Sequence, residues 1–401
     1  MKVLFLSAWY PYPPSNGSKL RIFNLLRGLA QHHEVSLISF ADQAQKTVPP
    51  ELASLCTQVH TVQSPVYHPH RLRSAVGLFN LAPRYIVDTY SADMDALIRH
   101  EVSRGCDLVI ASQWSTASYF SAFQSCPAVF EEVEVGLFES KRTNVKSALG
   151  RMRHSLTLLK MKFYLRNILQ YFRACTVVSN AEVERVRHMA PGYKAIQTIP
   201  NGVDLEKYAL ATDAARSPRS SSNTLIFTGS FNFSANYDAM QWFVGEILPR
   251  LRVHVPDANL VITGDHAGLP LPSHDHVTLS GFVDDIHGMV ADSTISIAPI
   301  RQGGGTRLKI LEAMALRTPV VATSKGAEGL AVRNGEHLLI ADTPEAFAQA
   351  IVRLLSDADL RRRMAQNAHE LVRTQYDWRI IMPRFLNLVE QAQKGFNFQE
   401  S

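Results

Sequence analysis

Short continuous apolar runs alternate with stretches of helical periodicity along most of this chain. That is the rhythm of a parallel sheet whose strands are covered on both faces. The first run is Val3–Ala8, and a Pro/Gly loop follows over Pro11–Gly17. Leu20, Phe23, Leu26 and Leu29 then recur on one helical face, with Ser18 as the expected N-cap. Further strands are expected at Val35–Phe40, Val59–Val62, Leu108–Ala111 and Cys175–Ser179. Residues 209–223 are polar, Ser-rich and without periodicity, as in an exposed linker. The rhythm then restarts. Strands are expected at Thr224–Thr228, Leu260–Thr263, Val277–Leu279, Ile295–Pro299, Pro319–Thr323 and His337–Ile340. Helices are expected over Ala239–Val253, Pro344–Leu355 and Leu360–Tyr376. The pattern predicts two α/β domains, 1–204 and 205–376, with 377–401 packing back on the first.

Composition narrows the class. With 401 residues, 46% of them hydrophobic, the chain can bury large cores without disulfide or metal staples. Disordered, collagen-like and disulfide-framework classes are excluded. The four cysteines are scattered with no Cys-x-x-Cys pair, so a reducing compartment is expected. The N-terminal apolar run is too short for a signal peptide, and no stretch approaches ~20 apolar residues. The expected location is the cytoplasm. A net charge of +5 permits anionic partners without selecting one.

Residues 140–173 stand apart. They carry nine Lys/Arg and no acid, interleaved with Leu156, Leu158, Leu159, Met161, Phe163, Leu165, Ile168 and Leu169. Such a helix can lie on an anionic membrane surface, here the inner face, or can be a surface helix with its apolar side in the core. Nucleic acid is not expected, because the cluster is local and no binding module accompanies it.

The richest chemistry lies in Ile295–Leu316. A buried strand ends at Pro299, Gly303, Gly304 and Gly305 form a loop, and Thr306 is expected to open a helix. Glycines allow close backbone approach, and a helix start offers unpaired N–H groups and partial positive charge, as a diphosphate requires. Arg307 and Lys309 add cations where the macrodipole disfavours them, which points to an anion. The bland alternative is a solvated helix start with Lys309 pairing Glu312.

Here a family resemblance becomes specific. Lys309-Ile-Leu-Glu312-Ala-Met-Ala315, Pro319-Val-Val-Ala-Thr323 and Gly326-Ala-Glu-Gly-Leu330 resemble the donor-site signature of family 4 glycosyltransferases. Ile199-Pro-Asn-Gly-Val-Asp204 resembles that family's interdomain turn. Thr228-Gly229-Ser230, Ile262-Thr-Gly264 and Gly281-Phe-Val283 resemble its C-domain strand ends. The resemblance implies a retaining enzyme of GT-B fold: two Rossmann-like parallel-sheet domains facing a central cleft. It implies a nucleotide-sugar donor bound by Gly229, Gly303–Thr306, Arg307 and Lys309, with Glu312 on the ribose. Gly17 and Ser18 match the loop that approaches donor phosphate and acceptor, Ser18 replacing a glycine. The acceptor would be a sugar, a lipid-linked group or a small molecule, and the product a glycan, glycolipid or other glycoconjugate. No metal or other cofactor is expected.

Two positions depart from the family pattern. The first glutamate of its Glu-x7-Glu motif falls on Gly304. Ser112-Gln113-Trp114 stands where a catalytic His or Asp is common. Gln113 can hydrogen-bond a substrate but cannot act as a base, which leaves Glu134, in the turn Phe130–Glu134, as the nearest polar catalytic or acceptor contact. Front-face attack, in which the leaving diphosphate helps accept the proton, tolerates such a loss. A nucleotide-sugar epimerase of GT-B architecture and an inactive nucleotide-sugar-binding scaffold are the alternatives. Asp93/Asp95 and His274/His276 are too sparse for metal sites. Neither a dinucleotide fingerprint nor a nucleophile elbow occurs.

Overall fold

The computed structural model describes residues 1–42, 47–68, 71, 77, 80–136, 147–208, 223–272, 275–304 and 307–395. Most of the expected linker, together with Gly305, Thr306 and His274, lies outside them. The chain divides into two compact units, Met1–Asn201 with Ile381–Ser401, and Gly202–Ile380.

The first unit holds a seven-stranded sheet in the order β3-β2-β1-β4-β5-β6-β7. Its strands are β1 Lys2–Ser7, β2 Glu34–Ala41, β3 Gln58–Gln63, β4 Leu108–Ser112, β5 Ala128–Glu131, β6 Ala174–Val177 and β7 Ile196–Thr198. Every pairing is parallel. Leu4, Leu6, Ile38, Val109, Ala111 and Phe130, from four strands, meet helical Met94, Ile98, Leu165 and Ile168 in one core. The second unit holds a six-stranded sheet, β10-β9-β8-β11-β12-β13. Its strands are β8 Thr224–Thr228, β9 Asn259–Thr263, β10 Val277–Gly281, β11 Ile295–Ala298, β12 Val320–Ala322 and β13 Leu339–Ile340, again all parallel.

In each sheet the chain reverses its direction of winding once. The reversal falls between β1 and β4 in the first unit and between β8 and β11 in the second. The crevice beyond the carboxyl ends of such a strand pair is where doubly wound folds bind ligands.

Local structure corrects several expectations. The first helix runs Gly17–Ala30 and its N-cap is Asn16, not Ser18: Asn16 is extended and its side chain accepts from the Lys19 N–H. The helix expected over Ala239–Val253 begins earlier, at Ser234, and contains a π turn at Phe243–Ile247 just before Pro249. Proline has no N–H for a regular ladder, and a π turn is one way through. Phe130 and Glu131, read as part of a turn, end strand β5. The helix at the glycine loop starts at Leu308, with Arg307 as N-cap.

Candidate functional site

In the second unit the segment after β11 and the helix Leu308–Ala315 bring Lys309 beside Phe227 and Gly229 at the β8/β11 reversal. Lys309 does not pair with Glu312. Its Nζ lies 3.9 Å from the centroid of the Phe227 ring, on β8, and donates to Asn236 Oδ1 at 2.9 Å. An ammonium over an aromatic face gains from the ring quadrupole, more so out of water. Burial and the neighbouring Arg307 push its pKa down to about 7, with Glu312 opposing. Glu312 accepts from the Tyr208 hydroxyl at 3.2 Å, and burial raises its carboxyl pKa.

Gly229 follows β8 with φ 151°, and a Cβ there would stand 3.1 Å from Lys309 Nζ and 2.7 Å from Asn236 Nδ2. Only glycine fits beside that cation. Gly303 (φ 90°) turns the chain out of β11. The Arg307 guanidinium donates to the carbonyls of Gly304, at 3.3 Å, and Gly303, at 3.5 Å, and its Nη2 stands 3.6 Å from Glu328. Gly304 supplies no carboxylate. Asn236, Phe227 and Tyr208 were not legible in the sequence, since nothing in their own segments marks them as neighbours of Lys309 or Glu312.

The first unit builds a second polar cluster, at the β1/β4 reversal. Arg21, on the first helix, is fully buried and donates from Nε to Glu131 Oε1 at 2.6 Å. Its Nη1 donates to the carbonyls of Ile199 and Pro200 and to Asn201 Oδ1. Glu131 also accepts from Ser112 Oγ at 2.6 Å. Beside this pair a chain of side chains runs outward. Glu132 Oε2 accepts from Gln113 Nε2 at 2.9 Å, and Gln113 Oε1 accepts from the Trp9 indole N–H at 2.7 Å. Trp9 follows β1, Gln113 follows β4 and Glu132 follows β5.

Gln113 and Glu132 both have positive φ, 69° and 57°. For such residues that conformation costs of order 1–3 kcal/mol, and it clusters at functional sites. Burial, aided by the charge of Glu131, pushes the Glu132 pKa up to about 8 against the opposing pull of Arg21. Of the sequence-predicted residues here, Gln113 is central. Glu134 contributes its carbonyl, which accepts from the Trp114 indole at 3.2 Å. Gly17 and Ser18 form the first turn of the helix that carries Arg21. Glu132 and Trp9 were missed. The signal that could have found Glu132 is a pair of adjacent acids closing an apolar run.

Asp95 pairs with Arg99 at 2.7 Å, and His276 bonds Arg252 and Asn259. Among the described residues no group of three or more His, Cys, Asp or Glu could hold a metal ion.

Two parallel sheets, each with its polar cluster at the reversal of winding, make up a GT-B fold. Sucrose-phosphate synthase from Thermosynechococcus elongatus shares the fold, with TM-score 0.69 at 18% identity over 98% of this chain and 100% of that one. Anabaena HepE, solved with UDP-glucose, gives TM-score 0.62 at 16% identity over 98% of this chain and 100% of that one. Residues 15–207 match the family described as Glycosyltransferase Family 4, and residues 222–357 match Glycosyl transferases group 1. The chain belongs to family 4 of the glycosyltransferases. It is 31% identical over 215 residues to the phosphatidyl-myo-inositol mannosyltransferase of Mycobacterium leprae, a match covering 50% of this chain and 54% of that protein. An uncharacterized 44.6 kDa protein in the cps region of Klebsiella pneumoniae is 21% identical over 94% of this chain and 96% of its own length. The chain thus spans little more than half of the mycobacterial enzyme.

Proposed function

We propose that this protein transfers a hexosyl group from a nucleotide-diphosphate-sugar to an acceptor hydroxyl, with retention, in glycolipid or polysaccharide biosynthesis. The observation that carries the reading is the partly buried Lys309 at the β8/β11 reversal, held by Phe227 and Asn236 near Glu312. A partly desolvated cation with no carboxylate bonded to it is costly, and a donor diphosphate supplies that counter-ion. Glu312 then accepts ribose hydroxyls, and Gly303 and Gly304 let the backbone approach the sugar and phosphates. The solved complex of HepE with UDP-glucose supports a nucleotide-sugar donor. Catalysis comes from placing the acceptor against the anomeric carbon and stabilising the departing diphosphate, which takes up the acceptor's proton. No metal takes part in this scheme. The test is incubation with a panel of nucleotide-sugars and acceptors. Acceptor-dependent release of nucleoside diphosphate with retained anomeric configuration is expected. Isomerised nucleotide-sugar without an acceptor would make the protein an epimerase, and binding without turnover would make it a scaffold.

The reading includes peripheral attachment to an anionic membrane. On the helix Ala148–Leu169, Met152, Leu156, Leu159 and Phe163 recur at spacings of four, three and four, each at least half exposed. Arg153, Lys162 and Arg166 flank this stripe, and among the described residues no helix is long and apolar enough to cross a membrane. An apolar stripe with basic flanks suits the headgroup boundary. The name of the mycobacterial relative, a phosphatidyl-myo-inositol mannosyltransferase, supports a lipid-linked acceptor. Co-sedimentation with phosphatidylglycerol vesicles, lost in Leu156→Ser/Phe163→Ser and weakened by salt, is expected. Equal recovery with and without vesicles would reject the attachment.

A further inference from the structure

We propose that Trp9, Gln113 and Glu132 form the acceptor subsite, and that the group it takes is a pyranose ring. The proposal rests on the glycosyl-transfer reading and names the acceptor class that reading leaves open.

Three observations converge. The first is position: Trp9 and Gln113 are joined across β1 and β4, the strand pair where winding reverses and where this fold class opens a ligand crevice. The second is presentation. Trp9 is 47% exposed, whereas Trp114, Trp242 and Trp378 are buried, and its indole N–H is tied to Gln113 at 2.7 Å. A lone exposed aromatic is ordinary. One whose only polar atom is already satisfied by its own unit offers its ring face, not its N–H, to a ligand. The third is the carboxyl behind it. Glu132 Oε2 is occupied by Gln113, while Oε1 makes no hydrogen bond among the described residues and lies 4.0 Å from Arg21 Nε.

A pyranose matches this pairing of surfaces. Its axial C–H groups form an apolar face suited to an aromatic ring, and its rim carries hydroxyls that both donate and accept. Glu131, Glu134 and Arg21 are the charged groups that bear on Glu132: burial and the two acids hold it protonated at neutral pH against the opposing pull of Arg21. With Oε2 accepting from Gln113, the proton sits on Oε1, which can then donate to a ring hydroxyl. The positive φ of Gln113 and of Glu132 is what turns both side chains out of their strands into one hydrogen bond.

The test is saturation-transfer NMR on the full chain with methyl α-mannopyranoside, methyl α-glucopyranoside and methyl β-galactopyranoside, and with glycerol as the open-chain control. UDP-glucose and GDP-mannose binding is measured on the same samples. At least one glycoside should receive saturation, strongest on its ring C–H protons. Trp9→Ala should abolish the signal, and Glu132→Gln should weaken affinity about fivefold, with nucleotide-sugar binding kept in both variants. Absence of any glycoside signal, a signal that survives Trp9→Ala, or an equal one from glycerol overturns the subsite. If nucleotide-sugars bind and glycosides do not, the subsite alone falls; if neither binds, the transferase reading falls with it.

Discussion

Lys309 and Phe227 are in cation–π contact, the ammonium 3.9 Å from the ring centroid. Its pKa of about 7 means that the empty site is largely uncharged at that position above neutrality. A bound diphosphate restores the charge, so donor binding should take up a proton, and affinity should fall as pH rises above 7. Calorimetry at pH 8 in two buffers of different ionisation enthalpy should report uptake approaching about one proton per site. Lys309→Arg, which stays charged throughout, should show almost none. Equal uptake in both proteins would remove Lys309 from the phosphate site.

Gly229 and Glu312 probe the same site through its shape and its carboxylate. Gly229→Ala puts a methyl group against Asn236 and Lys309, so the slot must open. Glu312→Ala removes the carboxylate that Tyr208 holds in place. Each should weaken nucleotide-sugar affinity about tenfold or more, equivalent to at least ~1.4 kcal/mol. Unchanged dissociation constants in both variants would sink the assignment.

Arg21 is the opposite case, a buried cation paired with a buried carboxylate of its own unit. Arg21→Met leaves Glu131 buried beside Ser112 with no cation and frees the turn Ile199–Asn201. Breaking such a pair costs about 3–5 kcal/mol. Urea denaturation followed by circular dichroism should show the first unit unfolding at clearly lower denaturant, and Arg21→Met/Glu131→Gln should recover part of the loss. A midpoint unchanged by Arg21→Met would contradict the network.

Glu132 sets a pH dependence of stability whose sign is fixed. Its folded pKa, about 8, lies above the ordinary 4.5, so the folded chain binds the proton more tightly. The contribution is therefore fully present below about pH 4.5 and is lost as pH rises through 8. Lys309, depressed from 10.5 to about 7, works in the other direction: its contribution is present above 10.5 and lost as pH falls through 7. Thermal unfolding between pH 5 and 9 should show Glu132→Gln flattening the alkaline decline. An identical profile for both proteins would mean that Glu132 does not titrate there.

The restart of strand and helix rhythm after residue 223 was enough to read two parallel-sheet halves, because a strand covered on both faces writes itself as an unbroken apolar run. β5 escaped because it ends in Glu131, a buried acid whose partner lies 110 residues away, and no local pattern announces a distant guanidinium. β7 escaped for a different reason: Ile196, Gln197 and Thr198 are only half-buried and give no apolar run. At the candidate donor site the motif residues that come together, Lys309 and Glu312 above all, stand within one stretch of sequence. Their partners do not: Phe227, Asn236 and Tyr208 come from three other segments that only the folded sheet assembles.

One of the four tryptophans meets solvent, and its indole is wired through Gln113 to a carboxyl that changes charge near pH 8. The molecule therefore carries its own optical gauge. Trp9 emission should be the red-shifted, acrylamide-quenchable part of the spectrum, sensitive both to the ionisation of Glu132 and to anything laid across the ring. Occupancy of this corner of the fold can thus be followed in unlabelled protein.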